Sequence, residues 1–377
     1  MEIREMYLKK LFVLHFKSYA EMEWEFTPGV NFLLGDNGTG KTNVLDAIHY
    51  LLFCKSYFNP IDSQCISMNE DQFMLSGSFG KDGEDEQISC SVRRGQKKVF
   101  RRNKKDYDKL SDHIGFLPGV MVSPYDVDLI DGGSEVRRRF IDSLISQYSH
   151  EYLERLITYN KALQQRNALL KSSGSQRANI AAAIEPWDMM LCEHANFLFE
   201  TRLSFFSEFL PVFESTYSEL SNGREVPLLS YESELAGAAM SDLLRHSFSK
   251  DVQLERTTCG IHKDDLEMQV HDQSLKKFGS QGQQKTFVLA LKLAQYEFLY
   301  SKLGIKPILM LDDLFDRIDG KRVQSILDKV SAGNYGQVFI TDTSVERLPS
   351  LLNPELVSMR IFNTNEPISN PDFADLQ

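Results

Sequence analysis

One glycine-rich loop constrains the fold of this 377-residue chain more than any other feature. Residues 35–42 read Gly-Asp-Asn-Gly-Thr-Gly-Lys-Thr, which matches G-x-x-x-x-G-K-[ST] at every fixed position. A short apolar run at 30–34 precedes the loop, and apolar residues recur at helical spacing between positions 44 and 52. The sequence therefore predicts a strand, a phosphate-binding loop and a helix, in that order.

The chemistry of such a loop follows from its residue types. Glycines let backbone N–H groups point at phosphate oxygens, and the helix N-terminus adds a favourable field. Lys41 is expected to reach the outer phosphates, and Thr42 is expected to hold Mg²⁺ through its hydroxyl. We predict ATP and Mg²⁺ as cofactors; the alternative is a chance glycine turn. The predicted nucleotide-binding residues are Gly35, Asp36, Asn37, Gly38, Thr39, Gly40, Lys41 and Thr42.

An apolar run that ends in two acids forms the second element. Residues 308–311 are Ile-Leu-Met-Leu, and Asp312 and Asp313 follow directly. A buried strand of this kind places carboxylates beside the phosphates, where they bind metal or orient water. We predict Asp312 as the magnesium-side acid and Asp313, with Lys41, as catalytic. The alternative is a buried strand followed by two solvated acids.

A second anion-binding loop is predicted near residue 280. Ser280 and Gly282 precede a helical pattern that runs to about residue 303, and a serine with a glycine at a helix start binds anions without a loop lysine. One chain does not need two such sites to bind one ATP. Two chains need both if each chain offers its Ser280 loop to the nucleotide held by the other. We therefore predict that Ser280 and Gly282 of one copy contact the γ-phosphate held by another. The alternative is an ordinary helix cap.

Together these segments resemble the RecF family, recombination mediators within the ABC ATPase group that includes SMC and Rad50 heads. The resemblance rests on residues 34–43, 279–285 and 311–319, and on two further stretches, 131–139 and 260–266. It implies an α/β ABC-type ATPase head with a P-loop and a mixed β-sheet, plus an inserted α-helical lobe and no long coiled coil. We place the head at residues 1–134 and 255–377 and the lobe at 135–254.

The resemblance also implies residue roles and partners. Asp316 to Asp319 would link the two nucleotide sites of a dimer. Asp313 stands where many ABC proteins carry a glutamate, and because aspartate is one methylene shorter, we expect slow hydrolysis that acts as a switch. Tyr125 stands where the family carries an acid. Either Thr341 or Thr343 could contact the γ-phosphate. The implied partners are double-stranded or gapped DNA, a second copy of the chain, and RecR-type and RecO-type mediators.

A basic segment supplies the candidate DNA contact. The chain carries a net charge of −11, which excludes a uniformly basic nucleic-acid binder, but a local basic face suffices for phosphate contact. If about four cations bind phosphates, log K falls with log salt at a slope near −3.6. The alternative is a solvated hairpin balanced by nearby acids. The candidate DNA-binding residues are Arg93, Arg94, Lys97, Lys98, Arg101, Arg102, Lys104 and Lys105.

Two other polar clusters leave alternatives open. Residues 137–139 are three arginines at the start of a predicted helix, suited to phosphate contact or to contact with a partner or lobe. Residues 262–265 form either a structural hydrogen-bond cluster or part of the ATP site. The scattered cysteines, odd in number, and the lack of a signal-peptide pattern predict a cytoplasmic protein without a membrane partner. The resemblance implies that the protein is nucleoid-associated. An architectural ATP-binding protein and a transporter-type ABC subunit are the competing functions.

Overall fold

The computed structural model describes residues 5–172, 180–313, 324, 327–330, 332–343 and 358–364. The chain forms two compact units. Unit 1 contains Met1–Asp126 and Gln295–Gln377, and unit 2 contains Val127–Ala294. The predicted head and lobe divide the chain elsewhere, at 134/135 and 254/255. In the structure the segment around Ser280 therefore belongs to the same unit as the long helices.

An antiparallel sheet forms one part of unit 1, in the order β2-β1-β4-β5-β6-β7. Along β4, the buried residues Phe73, Leu75, Gly77 and Phe79 occupy alternate positions and therefore face one side of the sheet. The β4–β5 turn has positive φ at Asp82 (53°) and Gly83 (84°), as a tight two-residue hairpin requires. The strands are β1 Met6–Phe16, β2 Tyr19–Glu25, β4 Gln72–Lys81, β5 Glu84–Arg93, β6 Val99–Arg102 and β7 Lys105–Asp106.

A parallel sheet forms the other part of unit 1, in the order β14-β3-β13-β12-β8. Its strands β3, β8, β12 and β13 are buried throughout, which explains their continuous apolar sequences. Helix α1, Lys41–Phe53, follows β3. Because all strands run the same way, their carboxyl ends meet at one edge. The strands are β3 Val30–Leu34, β8 Gly119–Val122, β12 Ile308–Leu311, β13 Val338–Asp342 and β14 Met359–Asn363.

Unit 2 is mainly helical and contains a small antiparallel sheet in the order β11-β10-β9. Its longest helix, α5, has 42 residues and packs along α4. The described helices contain no long coiled coil. The helices of unit 2 are α2 Asp128–Asp131, α3 Ser134–Tyr148, α4 His150–Ser172, α5 Ile180–Ser221, α6 Met240–Leu254 and α7 Leu275–Phe278, and the strands are β9 Pro227–Glu232, β10 Asp265–Val270 and β11 Gln273–Ser274. Helix α8, Gln281–Leu303, begins in unit 2, and its residues from Gln295 onward belong to unit 1.

A buried ionic network joins the helices of unit 2. Arg202 is almost fully buried and donates to Asp142 at 2.7 Å and to Asp264 at 2.7 Å. Arg137 binds both oxygens of Asp265, at 2.6 and 2.9 Å, and Arg138 donates to the Asp264 carbonyl at 2.6 Å. Removing one partner of a buried ion pair is strongly destabilising because it leaves an uncompensated charge. Arg137, Arg138, Asp264 and Asp265 therefore serve packing within unit 2.

Several predictions of local structure are confirmed. The strand, loop and helix around residues 35–42 are present, as is the strand at 308–311. None of the described helices has the length and hydropathy needed to cross a membrane.

Candidate nucleotide site

The glycine loop leaves β3 and enters α1 at the carboxyl edge of the parallel sheet. Gly38 (φ 84°) and Gly40 (φ 99°) adopt the left-handed region that glycine tolerates best. A Cβ at Gly40 would lie 2.7 Å from the Tyr19 hydroxyl, so a side chain there would also clash. Asp36, Asn37 and Gly38 are exposed. The loop thus combines an accessible backbone with a conformation that requires its glycines.

Lys41 is held inside the loop. It is 5% exposed, and its Nζ donates to the carbonyls of Gly35 at 2.7 Å and Asp36 at 2.8 Å. The Thr39 hydroxyl also donates to the Asp36 carbonyl, at 2.9 Å. The ammonium group therefore lies under the curve of the loop, where the outer phosphates of a nucleotide would bind.

The two predicted metal ligands are in contact. Thr42 Oγ1 donates to Asp312 Oδ1 at 3.0 Å, although the residues are 270 positions apart. Asp312 is 5% exposed at the end of β12. Burial raises the pKa of the Asp312 carboxyl to about 6, with the Asp313 carboxylate also raising it, while hydrogen bonds from Thr341 and Thr42 oppose the shift. A nearby cation would stabilise the charged form of this buried carboxyl.

This pair of oxygen ligands fits Mg²⁺. Magnesium prefers oxygen and is usually held by one or two carboxylates together with substrate phosphates and water. The described residues contain no cluster of three or more metal-ligating acids, histidines or cysteines. The Thr42 hydroxyl and the Asp312 carboxylate therefore suit a metal that arrives with its nucleotide.

Thr341 is a site residue whose contacts the sequence did not reveal. Its side chain is fully buried, and Oγ1 donates to Asp312 Oδ1 at 2.9 Å and accepts from the Asp313 N–H at 2.8 Å. Asp313 has φ of 45°, an unfavourable conformation for a non-glycine residue. Among the described residues, Thr343 Oγ1 reaches only Asp342 Oδ1, at 3.4 Å. Of the two threonines left open, Thr341 is the one bound to both acidic residues of the site.

A second missed group lies on α1. Asp46 is fully buried; it pairs with Lys17 at 2.6 Å and accepts from the Ser56 hydroxyl and the Tyr57 N–H, both at 2.7 Å. Tyr57 in turn donates to Asp126, in the loop after β8. An acid within the apolar run of α1 was the available sequence signal, because a buried charge requires partners. This chain of contacts fixes the loops after α1 and β8 to the P-loop helix.

The segment around Ser280 begins α8 with a reciprocal cap. Ser280 Oγ accepts from the Gln283 N–H at 3.2 Å, and Gln283 Oε1 accepts from the Ser280 N–H at 2.9 Å, which is the capping-box arrangement. Gly282 and Ser280 are both exposed. The cap orients the first turn of a 23-residue helix and leaves its N-terminus accessible. The predicted loop at Asp316–Asp319 lies outside the described residues.

The basic segment contains two kinds of cation. Lys98 donates to the Cys54 carbonyl at 2.6 Å and pairs with Asp62 at 3.0 Å. Arg102 binds Glu86 through two contacts of 2.6 and 2.9 Å. Arg94 donates to the Glu70 carbonyl and Arg101 pairs with Asp106. Within the described part of the chain, four exposed cations of this segment have side chains with no hydrogen-bond or ion-pair partner: Arg93, Lys97, Lys104 and Lys105.

Comparison with known proteins identifies the family. The family model of the RecF/RecN/SMC N terminal domain matches residues 7–358. The chain therefore belongs to this family. A protein of Phocaeicola vulgatus, named DNA replication and repair protein RecF, is 47% identical over 92% of this chain and 93% of the relative. Another of that name, from Bacteroides thetaiotaomicron, is 45% identical over 97% of this chain and 98% of the relative. Within the larger family, the chain belongs to the RecF group.

Solved structures agree with this assignment. A recombination mediator protein RecF bound to ATP, in the RecFOR pathway, has a TM-score of 0.83 at 28% identity and covers 91% of this chain and 94% of its own. The Smc head domain of Pyrococcus furiosus has a TM-score of 0.52 at 17% identity, over 90% of each chain, and supports the fold alone. The predicted ABC-type head and the RecF resemblance are confirmed.

Proposed function

We propose that the chain is an ATP-controlled DNA-binding protein of replication and recombinational repair. Two copies close around two ATP–Mg²⁺ on double-stranded or gapped DNA, and slow hydrolysis opens them. The observation that carries the proposal is the contact between Thr42 and Asp312, at 3.0 Å. It joins the P-loop to the acidic strand at the position where a nucleotide and its metal would bind.

Closure by a second copy is supported by the exposed cap at Ser280. The N-terminus of α8 presents a serine and an open glycine, and such a helix start favours a phosphate group. A Cβ added at Gly282 would meet only Ser280 Oγ, at 3.9 Å, so a phosphate can approach this part of the backbone. A ligand shifts an equilibrium only by its differential affinity for the two states. Contacts from Ser280 to the γ-phosphate exist only in the closed dimer, so ATP favours closure.

Slow turnover follows from the residue at position 313. Asp313 is held by a backbone hydrogen bond to Thr341 Oγ1 at 2.8 Å, and its short side chain limits its reach toward an attacking water. A water-orienting acid must lie within hydrogen-bond distance of the proton that it accepts. Asp313 therefore supports hydrolysis as a timed release step. Hydrolysis of several ATP per second in the absence of DNA would contradict this role.

DNA contact is assigned to the basic segment, principally to Arg93, Lys97, Lys104 and Lys105. The first two lie at the β5–β6 turn and the last two at the β6–β7 turn. Strand β6 has four residues, so the turns are roughly 13 Å apart, which allows contact with separate phosphates. Four such contacts give a salt slope near −3.6.

The family supplies the remaining proposals. A similar solved structure is described as a mediator in the RecFOR pathway, which supports RecR-type and RecO-type proteins as partners in loading a recombinase at gaps. The setting that suits these partners is the cytoplasm, in association with the nucleoid.

Binding to gapped duplex DNA with ATP–Mg²⁺, with ADP–Mg²⁺ and without nucleotide tests the proposal. The wild type should bind most tightly with ATP. Lys41→Ala should lose this ATP dependence, and Asp313→Asn should keep ATP-dependent binding while release slows. Equal DNA affinity in all three nucleotide states would refute ATP control. ATP-dependent binding with no measurable hydrolysis would instead favour an architectural ATP-binding protein.

A further inference from the structure

Two exposed aromatic surfaces flank the two halves of the proposed composite ATP site. Phe278 is 70% exposed and lies two residues before Ser280. Tyr125 is 66% exposed in the loop that follows β8. All other phenylalanines in the described part of the chain are buried or partly buried. A large exposed ring is a frequent anchor of protein interfaces.

The backbone holds Phe278 outward. Leu275, at the start of α7, is fully buried, and the Gly279 N–H donates to the Leu275 carbonyl at 3.0 Å. Gln284 Nε2 also donates to this carbonyl, at 3.2 Å. The residues on both sides of Phe278 are thus fixed, so its exposure is a property of the folded segment.

On the nucleotide side, Tyr125 forms an aromatic pair with Phe58. Their ring centroids lie 5.7 Å apart at an interplanar angle of 72°. Lys17 Nζ lies 5.2 Å from the Phe58 ring centroid. Because the adjacent Tyr57 donates to Asp126, the same contact that joins the two loops holds the two rings together. We name Phe58 and Tyr125 the aromatic pair.

The aromatic pair lies within reach of the metal site in the same unit. Strand β8 pairs with β12 in parallel register, Val122 opposite Leu311, and neighbouring strands are about 4.8 Å apart. Tyr125 follows the end of β8 by three residues, so it lies on the order of 10 Å from the sheet edge that carries Asp312. Phe278 lies at most about 7 Å along the backbone from Ser280. When Ser280 of one copy approaches the γ-phosphate bound by another copy, these two distances allow Phe278 of the first copy to reach Tyr125 of the second.

We propose that Phe278 of one copy packs against the aromatic pair, Phe58 and Tyr125, of a second copy when ATP closes the dimer. The inference rests on the proposed ATP-dependent dimer and specifies one of its contacts. The second copy is the occupant because the two surfaces flank the two motifs that the dimer brings together. Burial of these rings would stabilise the closed dimer and make closure depend on aromatic packing as well as on phosphate contacts.

Cross-linking between differently labelled copies tests the contact. Cys192 is the one cysteine that is not buried, so both copies carry Cys192→Ser. One copy carries Tyr125→Cys and the other Phe278→Cys, and a short bismaleimide is added with ATP–Mg²⁺, with ADP–Mg²⁺ or without nucleotide. We expect a covalent heterodimer in the mixture, and only with ATP–Mg²⁺. In the control, Met189→Cys replaces Phe278→Cys in the second copy, and this exposed residue of α5 should give no covalent heterodimer.

Sedimentation of alanine variants gives an independent measurement. Phe278→Ala and Tyr125→Ala should each weaken the ATP-bound dimer by on the order of 10-fold, and the double variant should be little weaker than either alone. Met189→Ala should dimerise like the wild type. ATP binding by each variant serves as the folding control.

The outcomes separate the two claims. The wild type could dimerise with ATP while the cross-link fails to form and Phe278→Ala dimerises as tightly as the wild type. This result would overturn the aromatic contact and leave the proposed dimer intact. A wild type that stays monomeric with ATP–Mg²⁺ would overturn both. Equal cross-linking with and without ATP would show that the contact is not part of nucleotide-driven closure.

Discussion

Replacing Thr341 with valine removes one buried hydroxyl from the centre of the nucleotide site. Valine has nearly the same shape as threonine, so the change creates no cavity. The hydroxyl makes a 2.9 Å hydrogen bond to Asp312 and accepts one of 2.8 Å from the Asp313 N–H. A hydrogen bond to a charged group contributes roughly 1.5–3 kcal/mol, and an orphaned donor costs roughly 1–3 kcal/mol. We expect the free energy of unfolding to fall by about 3 kcal/mol.

The same variant should weaken nucleotide binding. Thr341 orients the carboxylate that is predicted to hold the metal, and loss of such a supporting hydrogen bond typically reduces metal affinity about 10- to 100-fold. Titration of Mg²⁺ at fixed ATP should therefore show at least a roughly 10-fold weaker metal dependence. Urea unfolding without nucleotide measures the stability change separately.

Thr343→Val is the matched control, because the one contact of Thr343 Oγ1 within the described part of the chain is to Asp342, at 3.4 Å. Its unfolding free energy should stay within about 0.5 kcal/mol of the wild type. If Thr343→Val lost Mg²⁺ dependence and Thr341→Val did not, the assignment of Thr341 would be refuted.

Two further predictions concern stability and DNA binding. Burial lowers the pKa of His113 to about 4, so between pH 6.5 and 4 the unfolded chain takes up a proton that the folded chain excludes. The free energy of unfolding should therefore fall as pH falls through this window, by at most about 3 kcal/mol. The urea midpoint of His113→Gln should lack this part of the pH dependence. An identical pH dependence in both proteins would contradict the role given to His113. Lys97→Ala should weaken DNA binding and reduce the salt slope by about 1, whereas Lys98→Ala, which removes the contacts to Cys54 and Asp62, should lower stability and leave the slope unchanged. Equal effects of the two lysine variants on the slope would remove the distinction between free and paired cations.

Local patterns were sufficient to predict the central part of the site. The P-loop motif predicted its strand and helix, and the acids after the apolar run predicted a carboxylate beside the loop. The 3.0 Å contact between Thr42 and Asp312 agrees with both. These features depend on short segments whose residue types and spacing are enough to predict their chemistry.

The remaining contacts depend on strand order, which local patterns do not encode. Thr341 meets Asp312 because β13 lies beside β12 in parallel register, with Ile340 opposite Leu311. Arg137 could be seen as a cation but not as the partner of Asp265, 128 positions away. The same limit applies to Lys98, whose charge predicted DNA contact while the fold pairs it with Asp62. Long-range pairing therefore decides which charges remain available for ligands.

The most direct test of the central claim is sedimentation velocity with and without ATP–Mg²⁺, for the wild type and for Ser280→Arg. The account predicts that ATP converts the wild-type monomer to a dimer, that Ser280→Arg still binds ATP yet stays monomeric, and that short duplex DNA favours the wild-type dimer. A wild type that remains monomeric with ATP and DNA bound would contradict it and leave a single-site nucleotide-gated DNA binder.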